Sequence, residues 1–436
     1  MLDFTSFNLN SNILNAIKKQ GYQRPTPIQA QSVPPLLKGN DLLGIAQTGT
    51  GKTAAFSWPI INNLTKNQVT TKSRNMRALI LAPTRELASQ ISLSIRTYSE
   101  GTNIFCGVIF GGVGKKGQIT MMSKGCDVLV ATPGRLLDLM NEGFIKFDQL
   151  EVFVLDEADR MLDMGFINDI KKIIKKLPKE KQSMFFSATM PKTLSSLVSS
   201  LLKYPKKVEV TPEKLTVEKI DQKIYMVEQV NKLKLLKKIL KDESIESTLV
   251  FTRTKHAADR VVKELMKVGI NSASIHGNKS QAARERSLKI FKEGKTRVLV
   301  ATDIAARGID IDRVTHVINY NLPEDAESYV HRIGRTARAG RDGVAISFCE
   351  ATEVKLLKNV EKTIKLKISV DPDHEFHTVH TKSTIDFEEK RKAEAKKKRI
   401  EQRKNSKSRV RNSQNARAGS FKTKKKSTSR SNIKKA

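Results

Sequence analysis

Short apolar runs alternate with stretches of helical period from the amino terminus to about residue 370. Leu42 to Ala46, Ala78 to Ala82, Asp127 to Ala131, Val152 to Leu155 and Met184 to Phe186 read as strands, each followed by a helix-like stretch. A Lys- and Pro-containing passage, Tyr204 to Thr216, interrupts the pattern. It resumes with Thr248 to Thr252, Ala273 to His276, Val298 to Thr302 and Val314 to Tyr320. Such alternation belongs to βαβ units with right-handed crossovers, so the chain is predicted to be α/β, with parallel sheets flanked by helices. The turns after the strands then gather at the carboxyl edge of each sheet, where ligands bind. The interruption marks a linker between two domains, with expected bounds of 1–207, 208–218 for the linker, 219–380, and a tail from 381 to 436.

At 436 residues the chain exceeds what one hydrophobic core usually organises, and 39% hydrophobic residues suffice for two. The tail departs from this. After about Asp371 the apolar period fades, and from Lys390 onward Lys, Arg, Ser and Asn dominate, a composition that cannot offset the entropy of ordering. It is expected to be disordered, although Glu388 to Lys404 has the composition to extend as a helix. The formal charge of +34 points to a polyanionic partner, whose condensed counterions many Lys and Arg side chains would release. Thr381 to Ala436 carries 21 Lys and Arg against 5 Asp and Glu, and the remainder is basic too. Cys106, Cys126 and Cys349 lie far apart without metal-ligand spacing and read as small buried hydrophobes in a reducing compartment. No run reaches the roughly 18 apolar residues of a membrane span. The sequence reads as cytoplasmic, with no membrane partner.

Ala46-Gln47-Thr48-Gly49-Thr50-Gly51-Lys52-Thr53 follows a predicted strand and opens a predicted helix, the context of a phosphate-binding loop. Glycines let backbone N–H groups cradle phosphate oxygens, Lys52 would neutralise the β and γ phosphates, and the Thr53 hydroxyl would hold Mg²⁺. ATP and Mg²⁺ are therefore the expected cofactors. A second apolar run leads into Asp156-Glu157-Ala158-Asp159. Carboxylates there suit a helix start through its dipole. Beside a phosphate loop they also suit phosphoryl transfer to water, with Asp156 for the metal and Glu157 for the attacking water. Gln29 has an amide that would pair twice with adenine, and Phe4 a ring that would stack on it. By themselves these residues read as an ordinary turn and a core aromatic.

Phe4 and PTPIQ (25–29), AQTGTGKT (46–53), PTREL (83–87), Gly111-Gly112, TPGR (132–135), DEAD (156–159), SAT (187–189), VFTRT (250–254), Gln281 to Arg284, ATDIAARGID (301–310) and HRIGRTAR (331–338) occur in one order. In this set the chain resembles the DEAD-box RNA helicases over roughly residues 2 to 370, and within them the bacterial RhlE branch, by its near-minimal core, its GRTARAG wording and its basic tail. The resemblance implies two tandem RecA-like domains that close over ATP and one RNA strand. It implies adenine recognition by Phe4, Tyr22 and Gln29, and further nucleotide contacts from Gly308 and Asp310. Arg335 and Arg338 would reach the γ-phosphate from the second domain, while His331 would link that region to Ser187 and Thr189. In HRIGRTAR, positions 331, 335 and 338 share one helix face, which as a bare pattern is also a solvated basic face.

For RNA, the resemblance implies sugar-phosphate contacts from Thr84, Arg85, Gly112, Thr132, Gly134 and Arg135 in the first domain and Arg253, Thr302 and Asp303 in the second. Asp159, Gln281 and Arg284 would couple the two sites. Such contacts position a strand without reading its bases, and contacts to the 2′-hydroxyl favour RNA over DNA. The activity implied is ATP hydrolysis with local, non-processive strand separation or remodelling of RNA–protein complexes. An ATP-gated RNA clamp is the alternative. Ribosomal precursors and the RNA decay machinery are candidate partners, and the core is expected to be monomeric. Deleting Lys390 to Ala436 is expected to weaken RNA affinity and flatten its salt dependence while basal ATP hydrolysis persists, as a salt titration of RNA binding would report.

Overall fold

The computed structural model describes residues 3–47, 49–210, 220–306, 314–337 and 342–379. Seven strands of the first half form one parallel sheet: β1 (Leu42–Ile45), β2 (Met76–Leu81), β3 (Cys106–Ile109), β4 (Cys126–Ala131), β5 (Val152–Leu155), β6 (Gln182–Ser187) and β7 (Lys206–Glu209), in the order β3-β4-β2-β5-β6-β1-β7. A second parallel sheet follows from β8 (Ile220–Met226), β9 (Thr248–Phe251), β10 (Ser272–Ile275), β11 (Val298–Ala301), β12 (His316–Asn319), β13 (Gly343–Cys349) and β14 (Ser369–Val370), in the order β10-β11-β9-β12-β13-β8-β14. These are two tandem RecA-like lobes, as expected from the alternation. Among the described residues, no helix is long and apolar enough to cross a membrane.

Central strands such as β2 and β5 are buried along their whole length, as parallel strands covered on both faces must be. On one face of the first sheet lie Phe56, Trp58 and Ile61 of the helix Lys52–Lys66, with Ile91 and Ile95 of the helix Arg85–Tyr98. On the other lie Leu136, Met161, Ile170 and Leu197 from the later helices. All three cysteines are free and buried, and burial pushes the Cys106 thiol up to about 11, so they pack as small apolar groups.

Hydrophobic patterning did not name β3, β7, β8, β13 or β14, and two of these have a physical reason for being quiet. β8 alternates buried Ile220, Gln222 and Ile224 with the more exposed Asp221 and Lys223, beside the short outermost strand β14. β7 reads KKVE because it is the outermost strand of its sheet; only Val208 is buried, and pairing with β1 alone holds it. It therefore falls inside the stretch that looked like an interruption.

One carboxylate organises this edge. Asp41, just ahead of β1, accepts from the Ser183 N–H through Oδ1 at 2.7 Å and from the Lys203 N–H through Oδ2 at 2.7 Å, and its carbonyl accepts from the Lys206 N–H at 2.8 Å. Asp41→Ala leaves two amide donors without their acceptor, a loss of about 2–4 kcal/mol. Denaturant unfolding should show it as a lower midpoint with unchanged slope.

Candidate nucleotide cleft and nucleic-acid groove

Apart from Phe4 and PTPIQ, which precede β1, every motif singled out in the sequence of the first lobe leaves the carboxyl end of a strand, as parallel topology requires. Residues 46–51 follow β1, PTREL follows β2, Gly111-Gly112 follow β3, TPGR follows β4, DEAD follows β5 and SAT follows β6. In the second lobe, TRT follows β9 and Thr302-Asp303 follow β11. Thr48, Gly308, Asp310 and Arg338 lie outside the described residues, as does the tail.

A cleft of about 970 Å³ lies over the first sheet, lined among others by Tyr22, Gln29, Gly51, Lys52, Thr53 and Asp156, with Glu157 beside them. Lys52 folds back so that its ammonium donates to the Ala46 carbonyl at 2.7 Å. Gln29 accepts from the Thr26 N–H through Oε1 and donates through Nε2 to the Gly51 carbonyl. Gly51 has φ +95°, and a Cβ there would run into the Gln29 amide, so only glycine permits this approach. Phe4 is placed elsewhere. It is buried edge-on against Trp58 at 5.6 Å and against Phe7, and it does not line the cleft. Tyr22 does line it, tilted against Trp58, with its hydroxyl 3.0 Å from that of Tyr98.

The carboxylates after β5 are all buried. Asp156 is pushed up to about 7, chiefly by burial, against the pull of the Lys52 charge. Thr53 and Asp156 line the same cleft, and a hydroxyl with a carboxylate is the oxygen donor set that a hard divalent cation such as Mg²⁺ takes. Glu157 is held in the left-handed region at φ +54°, and its carboxylate accepts from Arg160 Nη1 at 2.6 Å with both side chains buried. Asp159 accepts from the N–H groups of Ala188 and Thr189 and from the Thr189 hydroxyl, while its own N–H donates to Ser187 Oγ. The DEAD and SAT loops are thus one hydrogen-bonded unit.

A second cavity, about 600 Å³, gathers Thr84, Arg85, Thr132, Gly134 and Arg135 of the first lobe, with Gly277 and Arg284 of the second. Thr84 caps its helix by accepting from the Leu87 N–H. Gly112 has φ +75° and passes so close to the Arg85 guanidinium that a Cβ would collide with it. Arg135 donates through Nη2 to the Val113 carbonyl, and its Nη1 is buried without a partner. The residues expected on the second lobe do not line this groove. Arg253 is paired to Glu353 at 2.7 Å, which in turn holds the buried Lys232. Asp303 takes a bidentate grip from Arg332, whose guanidinium also lies 4.9 Å from the Phe251 ring centroid.

Arg335 is buried, its Nε donating to the His331 carbonyl. It and His331 line a small cavity with Arg160 of the first lobe, not the cleft that holds Lys52. Sequence reasoning assigned no role to Arg160, Arg332 or Glu86. Glu86 lay within PTREL, yet it makes the contact between the lobes: it accepts from Arg284 at 2.9 Å and from Gln281 Nε2 at 3.2 Å, with both charges nearly buried. Burial holds the Arg284 guanidinium below its ordinary pKa, against the Glu86 charge.

Two RecA-like lobes with a phosphate loop, a carboxylate pair and facing arginines define a nucleoside-triphosphate-driven motor. The DEAD/DEAH box helicase family model matches residues 26–197 and the helicase conserved C-terminal domain model residues 231–340. An ATP-dependent RNA helicase CshA of Listeria monocytogenes is 43% identical over 368 residues, 84% of this chain and 70% of the relative. S. cerevisiae Dbp5 bound to RNA and ADP BeF3 superposes with a TM-score of 0.75 at 30% identity, covering 85% of this chain and 95% of that one. Mss116p bound to ssRNA and AMP-PNP gives 0.75 at 28% identity, covering 85% and 79%. The chain belongs to the DEAD-box helicase family.

Breaking a buried ion pair by removing one partner leaves an uncompensated charge, worth about 3–5 kcal/mol. Glu86→Ala and Arg284→Ala should each lower nucleic-acid-stimulated ATP hydrolysis by about tenfold or more. The double substitution should cost no more than the worse single one, which steady-state kinetics of the three variants will show.

Proposed function

We propose that this chain is an ATP-dependent RNA helicase that hydrolyses ATP to ADP and phosphate and separates short RNA duplexes locally, without processive travel. The observation that carries the reading is the convergence of six loops on one sheet edge. Those after β1 and β5 make the nucleotide cleft, those after β2, β3 and β4 the groove, and the SAT loop, after the strand β6 that lies between β5 and β1, is hydrogen-bonded to the DEAD loop. Membership of the family and the RNA bound by Dbp5 in the similar structure support RNA as the strand.

In this reading Lys52 leaves the Ala46 carbonyl for the β and γ phosphates, Gln29 and Tyr22 recognise the adenine end, and Phe4 backs that wall through Trp58. Mg²⁺ would be held by Thr53 and Asp156 and supply charge neutralisation at the phosphates. Glu157 orients the attacking water, for which it must exchange its contact with Arg160. Arg335, with Arg338, serves the γ-phosphate only when lobe closure brings it from the Arg160 cavity into the cleft. Asp310 and Gly308 complete the nucleotide contacts. Closure also aligns Arg253, Thr302 and Asp303 with the groove of Arg85, Thr132 and Arg135, so that one strand is gripped by sugar and phosphate. Opening a few base pairs at about 1.4 kcal/mol per step lies within reach of differential strand binding, whereas long duplexes do not.

A first lobe that runs on through β7 to Glu209, two residues past the expected bound of 207, a division at 218 and 380, a monomeric core, a cytoplasmic setting and service to ribosomal precursors or RNA decay assemblies complete the proposal. Kinship with the RhlE branch rests on the GRTARAG wording and the basic tail, while the CshA relative carries the name of another bacterial group.

Arg335→Ala should lower RNA-saturated ATP turnover by about a thousandfold, the smaller end of what such an arginine contributes. Glu157→Gln should abolish turnover while ATP-dependent RNA retention persists. A coupled ATPase assay beside strand displacement on a short duplex measures both, and an unchanged rate in Arg335→Ala would overturn the composite site.

A further inference from the structure

The amino-terminal edge of the first sheet, opposite the cleft and the groove, carries a feature that the helicase reading does not use. Between residues 171 and 207 there are ten lysines, no arginine and one acidic residue, Glu180. Topology concentrates part of this charge. Strands β6, β1 and β7 are neighbours, in register from Leu42 to Met184 and Lys206. The segments entering them, which contain Lys179 and Lys181, Lys38, and Lys203 and Lys206, therefore lie side by side within about 10 Å, at roughly 4.8 Å per strand. Lys38, Lys179, Lys203 and Lys206 are exposed. Glu180 is bridged to Lys203 at 2.9 Å, and both carboxylate oxygens of Asp41 are taken by backbone N–H groups.

Among these lysines stands Tyr204, 99% exposed. Its backbone is left-handed, φ +47°, a conformation that an aromatic residue adopts only when its surroundings impose it. The imposing contacts are those of Asp41 with the N–H groups of Lys203 and Lys206, on either side of the Tyr204-Pro205 turn. The ring is thus carried on a fixed backbone and packs on nothing.

We propose that Tyr204 and the surrounding lysines form a second RNA-binding surface, where an unpaired stretch flanking the strand in the groove stacks a base on the tyrosine ring and lays its phosphates along Lys179, Lys203 and Lys206. The inference rests on RNA being the strand in the groove. Exposed aromatics interleaved with lysines are the elements of sequence-tolerant single-strand binding. The surface lies about one strand length across the sheet and four strands along it from the groove, roughly 25 Å in all at about 3.3 Å per residue and 4.8 Å per strand, so it serves long RNAs and not short ones.

The test uses the full chain and two single-stranded RNAs of about ten and about forty nucleotides, a length below and a length above what both surfaces would need together. Tyr204→Asn removes the ring and suits the left-handed backbone better, so the variant keeps its fold. A triple replacement of Lys179, Lys203 and Lys206 by Gln removes the charge. Tyr204→Asn should weaken binding of the long RNA by about fivefold or more, the low end of aromatic–base stacking, and leave the short RNA unchanged. The triple variant should reduce the salt slope for the long RNA by about two, since each phosphate contact on a single strand contributes about 0.7. Unchanged affinity for the long RNA in both variants would overturn the proposal and leave a solvated or protein-binding lysine face. An equal loss for both lengths would overturn it as well, because the effect would then act through the groove. If the short RNA fails to stimulate ATP hydrolysis in the unmodified chain, the helicase reading itself is what fails.

Discussion

A charge can be buried only where an opposite charge or a set of hydrogen bonds replaces its water, and the functional centre of this molecule buries many. Lys52, Glu86, Asp156, Glu157, Asp159, Arg160, Arg284, Arg332 and Arg335 are all nearly inaccessible. Glu157 is satisfied by Arg160, Asp159 by three donors of the SAT segment, and Glu86 by Arg284 across the lobes. Asp156 accepts from the Glu157 N–H, and burial pushes its carboxyl up to about 7. Ligands must therefore exchange existing partners rather than enter an empty pocket, which is how nucleotide and strand binding become linked to rearrangement.

Parallel topology does the second half of the arrangement. Because each strand must be reached by a crossover, the loops that follow the strands share one edge. Nucleotide chemistry and strand grip are separated along that edge by sheet order. The loops after β5, β6 and β1 are consecutive on one part and those after β3, β4 and β2 on the other, so the DEAD–SAT hydrogen bonds join neighbouring strands within the nucleotide part. The opposite edge is free of this chemistry, and there Asp41 fixes the entries to β6 and β7 and presents the lysines and Tyr204.

The second lobe follows the same plan with different side chains. Its arginines are tied internally, Arg332 to Asp303 and Arg253 to Glu353. Arg335 faces Arg160 instead of Lys52. The lobes touch through Glu86, Gln281 and Arg284, while Arg335 lies outside the cleft that holds Lys52.

Local sequence determined the alternation of strands and helices, the two lobes, the identity of the phosphate loop and the carboxylates after β5. Each of these is written in neighbouring residues through hydrophobic period, glycine placement and the strand-to-helix turn. The edge strand β7 and its counterpart β8, one place in from the edge of the second sheet, were not legible, because polar residues alternate with or outnumber the apolar ones and their pairing is decided by partners far along the chain. The same holds for function. That Phe4 packs on Trp58, that Glu86 rather than its neighbour Arg85 bridges the lobes, and that Arg160 holds Glu157 are matters of which side chains share a buried volume. Only the tertiary structure decides them, since the cost of an unpaired buried charge depends on residues brought together from distant parts of the sequence.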